Sequence, residues 1–362
     1  MSISCFAPGR VELLGNHTDY NSGVVLSAAL DLGITATGSP SGQIHLSSES
    51  LPDVVEVPVH SVRPTGSWSD YPLGVFQILR GEGFPVSGFT AHFRSTLPAG
   101  AGLSSSAAIE VATAMLLCKL FAISLEPLAL AKLCRRAENE FVGVNCGLLD
   151  QASSVFGKAG HAVFLDCRAE TVDNIPLPPG CGLLIINSGV QHALTGGEYN
   201  ERREMCFEAA KQLGIPALRD ATSKQLMEAD LPATIRHRAL HITGENERVF
   251  SAIEALRSEN TEKFGELMTA SHESSMRNFE NSTAELDELV RLANEQEGIF
   301  GARLTGGGFG GAIVAIGAES ALEPAANAIT REYHSATGHK ATPIICQPGD
   351  GAWALSQKPI NP

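Results

Sequence analysis

A run of glycine and serine feeding straight into a long apolar segment constrains this chain more than any other feature. It reads Leu97-Pro-Ala-Gly-Ala-Gly-Leu-Ser-Ser-Ser-Ala-Ala108, and the apolar segment continues to Phe121 with Glu110 and Lys119 as its charged interruptions. Those charges make it a poor bilayer span and predict a buried helix over 105–121. Glycine permits close backbone approach and unusual dihedrals. Serines at a helix start can cap it, and N–H groups left over can face an anion with help from the helix dipole. The same residues also suit an ordinary capped loop. The run is not a P-loop, because no Gly-Lys-Ser/Thr follows, and it lacks the third glycine of the dinucleotide fingerprint.

Two further segments stand out. Leu304-Thr-Gly-Gly-Gly-Phe-Gly-Gly311 lies between two strand-like runs; that much glycine weakens a sheet and fits a tight turn, a flexible hairpin or a close approach to backbone. Pro8-Gly-Arg-Val-Glu-Leu-Leu-Gly-Asn-His-Thr-Asp-Tyr-Asn-Ser-Gly23 packs Arg10, Asn16, His17, Asp19, Tyr20 and Asn21 into what reads as a short loop between strands. Such a density of hydrogen-bonding side chains suits a polar ligand such as a sugar, or a solvated turn with an Arg10–Asp19 surface ion pair of little energetic weight.

With 26 basic and 40 acidic residues the chain carries a net charge of −14. That argues against nucleic acid and anionic membrane surfaces as partners. Backbone N–H groups can still hold a phosphate. The eight cysteines show no Cys-x-x-Cys or zinc spacing, so reduced thiols are expected. The first ten residues show no basic stretch followed by an apolar run, so no signal peptide is read and a cytoplasmic location is expected.

Strand signals fall at 3–6, 24–30, 33–37, 54–57 and 89–93. Helical signals follow at 69–80, 105–121, 127–141 and 147–156. After a buried strand at 183–187 the pattern turns helical over 198–213, 233–257, 261–278 and 283–295. Strands at 301–304 and 311–316, a helix at 321–334 and a strand at 342–346 complete the pattern. The densest Pro/Gly stretch, Ile175-Pro-Leu-Pro-Pro-Gly-Cys-Gly182, reads as a domain boundary or a surface loop.

Together the three motifs resemble the signatures of the GHMP small-molecule kinases, and the first resembles that of galactokinases in particular. The resemblance runs nearly end to end, through Gly143-Val-Asn-Cys-Gly-Leu-Leu-Asp-Gln151, Leu165-Asp-Cys-Arg168, Asn187-Ser-Gly-Val190, Glu198-Tyr-Asn-Glu-Arg-Arg203 and Glu285-Leu-Asp-Glu-Leu289. It implies a two-domain α/β architecture: an N-terminal mixed-sheet ATP-binding domain (1–178) and a C-terminal ferredoxin-like domain with extra helices (179–362), the site lying between them. The implied reaction is ATP-dependent phosphorylation of the C1 hydroxyl of galactose, giving galactose 1-phosphate and ADP, by a monomer that uses Mg²⁺.

Carried over position by position, the resemblance makes Asp150 the catalytic base and Arg10 the cation beside it. His17 and Asp19 match sugar-hydroxyl contacts, Tyr199 the tyrosine near the axial 4-hydroxyl, and Gly147 and Asn187 pocket-lining positions. Gly100, Gly102, Ser104, Ser105 and Ser106 match the phosphate loop. Ser106 corresponds to a Mg²⁺ ligand, with Glu138 as the second and Glu140 as its rival. Trp68 resembles the aromatic residue beside the adenine, or is core packing.

The chain departs from the family pattern in its first motif. Galactokinases usually read Gly-Glu-His-Thr-Asp-Tyr where this chain has Asn16, and Arg-Val-Asn where it has Glu12. The lost glutamate is one that touches the C6 end of the sugar in the family. Asn16 is neutral and both donates and accepts. It is expected to tolerate changes at C6, such as a galacturonate carboxylate, or to bind galactose through its amide. A sugar sensor without catalysis is the reading from another class, disfavoured by the intact Ser104–Ala108 stretch.

Overall fold

The computed structural model describes residues 2–51, 53–98, 100–191 and 197–355. The first half, joined by one strand from Trp353–Leu355, builds an eight-stranded sheet. Its strands are β1 (Ile3–Leu14), β2 (Val24–Pro40), β3 (Ile44–Ser48), β4 (Val55–Val57), β5 (Phe89–Ser95), β6 (His161–Asp166), β7 (Thr171–Pro176) and β12 (Trp353–Leu355). The order is β12-β1-β2-β5-β3-β4, with β6 paired to β2 and β7 to β6. β3 and β5 run parallel and the other pairs antiparallel, so the sheet is mixed.

Helices α1 (Asp70–Gly81), α2 (Ser105–Leu120), α3 (Pro127–Arg136) and α4 (Leu149–Phe156) accompany this sheet. α2 is the apolar segment read from sequence. Buried residues occupy nearly every turn of it, from Ala107 to Cys118, as a helix apolar on all sides requires. A π-helical turn, Ala137–Val142, follows α3.

The second sheet has four strands, β8 (Cys181–Gln191), β9 (Ile299–Thr305), β10 (Gly310–Ala318) and β11 (Thr342–Cys346), in the order β11-β8-β10-β9. All its pairs are antiparallel. With α10 (Glu319–Thr337) between β10 and β11, and helices between β8 and β9, this is the βαββαβ arrangement of a ferredoxin-like unit. The added helices are α5 (Gly197–Leu213), α6 (Ser223–Glu228), α7 (Ala233–Arg257), α8 (Thr261–Ser274) and α9 (Ala284–Asn294). Among the described residues no helix is long and apolar enough to cross a membrane.

The structure corrects the sequence reading in several places, and the strands β3 and β12 and the helix α6 are additions to it. The strands read at 24–30 and 33–37 are one continuous strand, β2, that pairs with β6 along its first part and β5 along its last. The hairpin β6–β7 was not foreseen; β7 reads Thr-Val-Asp-Asn-Ile-Pro, whose adjacent Asp-Asn and closing proline look like a loop. β1 runs eight residues past the expected 3–6, so Arg10 and Glu12 are strand residues, not loop residues. Register shifts between Pro8 and Arg10 and between Glu12 and Leu14 bend β1 there, as bulges beside active sites do.

Candidate active site

Arg10 and Glu12 stand two apart on β1 and so share a face. The turn that follows β1 is fixed from the other half of the chain. The backbone N–H groups of Gly15 and Asn16 both donate to Glu245 Oε2 at 2.9 Å. Glu245 is fully buried on α7. Burial alone pushes its carboxyl up, but Arg248, His241 and Arg303 outweigh that and hold it well below the usual carboxylate range.

Asp150 enters from the first turn of α4. Its Oδ1 accepts from Arg10 Nε at 2.8 Å and Nη2 at 2.7 Å, and its Oδ2 accepts from Ser104 Oγ at 2.6 Å. Arg10 also donates Nη1–H to the Gly102 carbonyl at 3.1 Å. One arginine thus ties the candidate base to the glycine–serine loop.

The contact to Ser104 revises one expectation. Ser104 precedes α2 with a left-handed backbone (φ 55°), and its side chain makes no capping bond. The hydroxyl goes to Asp150, and the first N–H groups of α2 receive no side-chain cap, which leaves them available to an anion. Gly100 and Gly102 have φ of 70° and 69°; a Cβ at Gly102 would meet nothing, so its backbone conformation is what demands glycine.

Asp150 lines the smaller of two adjoining cavities, and the two residues it bonds, Arg10 and Ser104, line the larger. The smaller, about 190 Å³, is lined by Glu12, Asn16, His17, Asp19, Gly147 and Tyr199 among others. The larger, about 820 Å³, is lined by Gly100, Gly102, Ser104, Ser105, Ser106 and the 306–311 glycine turn; Ala99 of that loop lies outside the described residues. Arg10, Tyr199, Gly306 and Gly307 border both.

In the smaller cavity Asp19 packs so tightly on Gly147 that a Cβ there would lie 2.1 Å from its Oδ2. Burial, with the charges of Glu12 and Asp150, pushes the Asp19 carboxyl up to about 6. His17 lines the cavity, but its nitrogens are already engaged, Nδ1 with the Tyr20 hydroxyl at 2.8 Å and Nε2 with the Gly307 carbonyl at 3.0 Å. Burial lowers it to about 4, so at neutral pH Nε2–H donates to Gly307 and Nδ1 accepts from Tyr20. His17 therefore offers its ring and holds the turn. Tyr199, near the start of α5, stacks its ring 5.0 Å from that of His17.

Asn16 overturns the expectation placed on it. Its Nδ2 donates to Glu12 Oε1 at 3.0 Å and to the Gly306 carbonyl at 2.8 Å, while its Oδ1 accepts from Asn281 Nδ2 at 2.9 Å. Both amide hydrogens are consumed inside the protein, and the amide oxygen already holds one internal bond. The cavity also keeps a carboxylate, Glu12, which removes the basis for expecting a hexuronate.

Asn187 is not among the residues lining either cavity. On β8 it donates Nδ2–H to the Gly100 carbonyl at 3.0 Å and so ties the second sheet to the glycine–serine loop. Trp68 also stands outside both linings; it packs on Phe93 with ring centroids 5.8 Å apart, and its buried indole N–H has no hydrogen-bond partner among the described residues.

Ser106 and Glu138 come together. Glu138, on the π-helical turn, makes side-chain hydrogen bonds with Ser106, Cys146 and Gln151. Its carboxyl is raised by burial and by the charge of Asp150. Burial and Glu138 push the neighbouring Glu110 up to about 10. Crowded carboxylates beside a serine hydroxyl fit a hard, oxygen-seeking cation that takes its other ligands from phosphate and water. Glu140, the rival, is exposed and paired with Arg136 at 2.7 Å.

Sequence reasoning missed the residues that hold the pocket from behind: Glu245, Arg303, Asn281 and His241. Arg303 is fully buried and pairs with Glu12 at 2.9 Å. Asn281 also donates to the Gly307 carbonyl and accepts from the Phe309 N–H at its own backbone carbonyl. A Cβ on Gly308 would lie 2.2 Å from that carbonyl, which explains one glycine of the turn.

Comparison with known proteins agrees with this geometry. Residues 2–40 match the galactokinase galactose-binding signature, 70–158 the GHMP kinases N terminal domain and 252–335 the GHMP kinases C terminal domain. A galactokinase of Thermotoga neapolitana is 39% identical over 328 residues, covering 90% of this chain and 93% of its own. One from Pyrococcus furiosus is 38% identical over 349 residues, covering 96% and 98%. The crystal structure of Lactococcus lactis galactokinase complexed with galactose superposes with a TM-score of 0.93 at 33% identity, covering 98% of this chain and 95% of that one. This chain belongs to the galactokinase family of GHMP kinases, ATP-dependent sugar kinases.

Proposed function

We propose that the protein transfers the γ-phosphoryl group of MgATP to the C1 hydroxyl of galactose, giving galactose 1-phosphate and ADP. The observation that carries this is the position of Asp150, which lines the smaller cavity and is locked to Arg10 and Ser104 on the wall of the larger. Galactose occupies the smaller cavity against Asp19 and Tyr199. The triphosphate lies along Gly100, Gly102 and Ser104–Ser106, with its oxygens on the uncapped first turn of α2, and the adenine extends toward Trp68. Asp150 accepts the C1 hydroxyl proton as that oxygen attacks phosphorus, and Arg10 offsets the charge that develops. Ser106 and Glu138 would hold Mg²⁺, which neutralises phosphate charge during transfer.

Residues of one chain line both cavities, which supports a monomer as the working unit. The two domains divide at 178/179, with β12 returning to pair with β1 of the first sheet. The eight cysteines are free thiols, which suits a reducing cytoplasm.

The test is initial-rate ADP release with MgATP on galactose, galacturonate, N-acetylgalactosamine, glucose and arabinose, with Asp150→Ala alongside. Galactose is expected to turn over fastest. Asp150→Ala is expected to cut kcat by about 10²–10⁴-fold with little change in either KM. Turnover of galacturonate above galactose, or full activity of Asp150→Ala, defeats the reading.

A further inference from the structure

The two departures from the family pattern in the first motif, Glu12 and Asn16, touch each other. Asn16 Nδ2 donates to Glu12 Oε1 at 3.0 Å. Relative to the usual pattern, one carboxylate and one amide have changed places between neighbours in contact, so the pocket has the same groups in exchanged positions.

The two oxygens of Glu12 are used differently. Oε1 accepts from Asn16 and from Arg303 Nη1, at 3.0 and 2.9 Å. Oε2 accepts no hydrogen bond from the described residues, and Glu12 lines the smaller cavity. Arg303 is fully buried, and among the described residues its ion pair is with Glu12. The backbone of Glu12 is fixed as well, since its N–H donates to Thr305 Oγ1 at 3.0 Å and its carbonyl accepts from the same hydroxyl at 3.2 Å. Asn16 is the poorer candidate acceptor: both hydrogens of its Nδ2 are spent on Glu12 and Gly306, and its neutral Oδ1 already accepts from Asn281 Nδ2.

We propose that Glu12 is a specificity-determining residue of the sugar pocket, with Oε2 accepting a hydrogen bond from a hydroxyl of the bound sugar. Asn16 and Arg303 are its positioning residues, each holding Oε1 so that Oε2 points into the cavity. This rests on the sugar-kinase reading above. A sugar lacking that hydroxyl leaves a buried carboxylate oxygen unpaired, and a site built around an acceptor rejects such an analogue strongly.

The experiment compares wild type and Glu12→Gln on galactose and its 2-, 3-, 4- and 6-deoxy analogues, with thermal unfolding as a check on the fold. Glu12→Gln is expected to raise the galactose KM by about 10–100-fold, the range for a hydrogen bond to a charged group, with a much smaller change in kcat. The wild-type penalty for one deoxy analogue should vanish in the variant while the other penalties persist. An unchanged KM overturns the proposal, and so does an equal loss on every analogue, which would mark Glu12 as scaffolding only. If Glu12→Gln does not fold, the exchange variant Glu12→Asn with Asn16→Glu keeps one carboxylate at the same contact. Near-wild-type discrimination among the analogues then supports the proposal, and its collapse in a folded exchange variant overturns it. Failure of the wild type to phosphorylate galactose defeats the underlying reading instead, and shows before any variant is made.

Discussion

The two cavities that share Arg10, Tyr199, Gly306 and Gly307 as a border are built by opposite means. The sugar side is walled by charged and amide side chains whose partners lie far away in sequence: Glu12 with Arg303, the Gly15 and Asn16 amides with Glu245, Asn16 with Asn281. The nucleotide side is walled mostly by glycine backbone and serine hydroxyls from one contiguous loop and one glycine turn. A sugar differs from its epimers by the direction of one hydroxyl, so its reader must hold acceptors at fixed points. A triphosphate presents the same charge all along its length, and N–H groups at a helix start suffice. Changes on the sugar side should therefore cost stability and sugar affinity together. Changes on the nucleotide side should act on ATP alone.

The largest effect expected from this contrast is that of Glu245→Ala. The substitution leaves the Gly15 and Asn16 N–H groups without their acceptor and Arg248 without the carboxylate it pairs with at 2.6 Å. Breaking a buried pair costs about 3–5 kcal/mol, which translates to a fall in Tm on the order of 10 °C. The galactose KM should rise with it, although Glu245 lines neither cavity. A variant with wild-type Tm and a raised KM would show that the turn is held by the glycine carbonyls instead, and that the contrast is weaker than drawn.

The same difference explains what the sequence made legible. The nucleotide side is local: Gly100, Gly102 and Ser104–Ser106 lie in one run and announce a loop and helix start together. The helices of the second half were legible for the same reason, since apolar spacing is a local property. The sugar side is not local. Glu12 was noticed as unusual, but nothing near it names Arg303, and nothing in Gly244-Glu245-Asn246-Glu247-Arg248 marks Glu245 as the residue facing the first motif. Asn16 was misjudged because its neighbour on β1 was unknown. Asn187 was placed in the sugar pocket by resemblance, while the register of β8 and β10 directs it to the phosphate loop. Bulges in β1 set where Arg10 and Glu12 point, and bulges leave no composition signal.

The pH dependence of sugar use sharpens the contrast further. Asp19 is raised to about 6 by burial and by Glu12 and Asp150, while His17 and His241 are lowered to about 4 and about 3 by burial. Asp19 lines the smaller cavity, and its ionised form is the one able to accept from two hydroxyls at once. As pH falls through 6 that form is lost, and kcat/KM for galactose should drop about tenfold per pH unit while the ATP KM stays level. The two histidines remain neutral over that window and do not contribute. Asp19→Asn should lower the plateau and abolish the acid limb. A limb that survives in Asp19→Asn assigns the titration to another group, and one that rises toward acid shows that the protonated carboxyl is the binding form.

The smallest effect expected tests a polar tie that the second sheet makes to the phosphate loop. Asn187 Nδ2–H donates to the Gly100 carbonyl at 3.0 Å, and its Oδ1 is fixed by the Gly189 N–H at 2.9 Å. Gly100 sits at φ 70°, a conformation glycine visits freely, so the loop has no side chain of its own to hold it there. Removing the tie with Asn187→Ala costs one partly solvated hydrogen bond, about 1 kcal/mol. That corresponds to a roughly fivefold rise in the ATP KM, with galactose KM and Tm close to wild type. Had Asn187 belonged to the sugar pocket, the galactose KM would move instead. Measuring both constants on one variant therefore decides which side of Asp150 this residue serves.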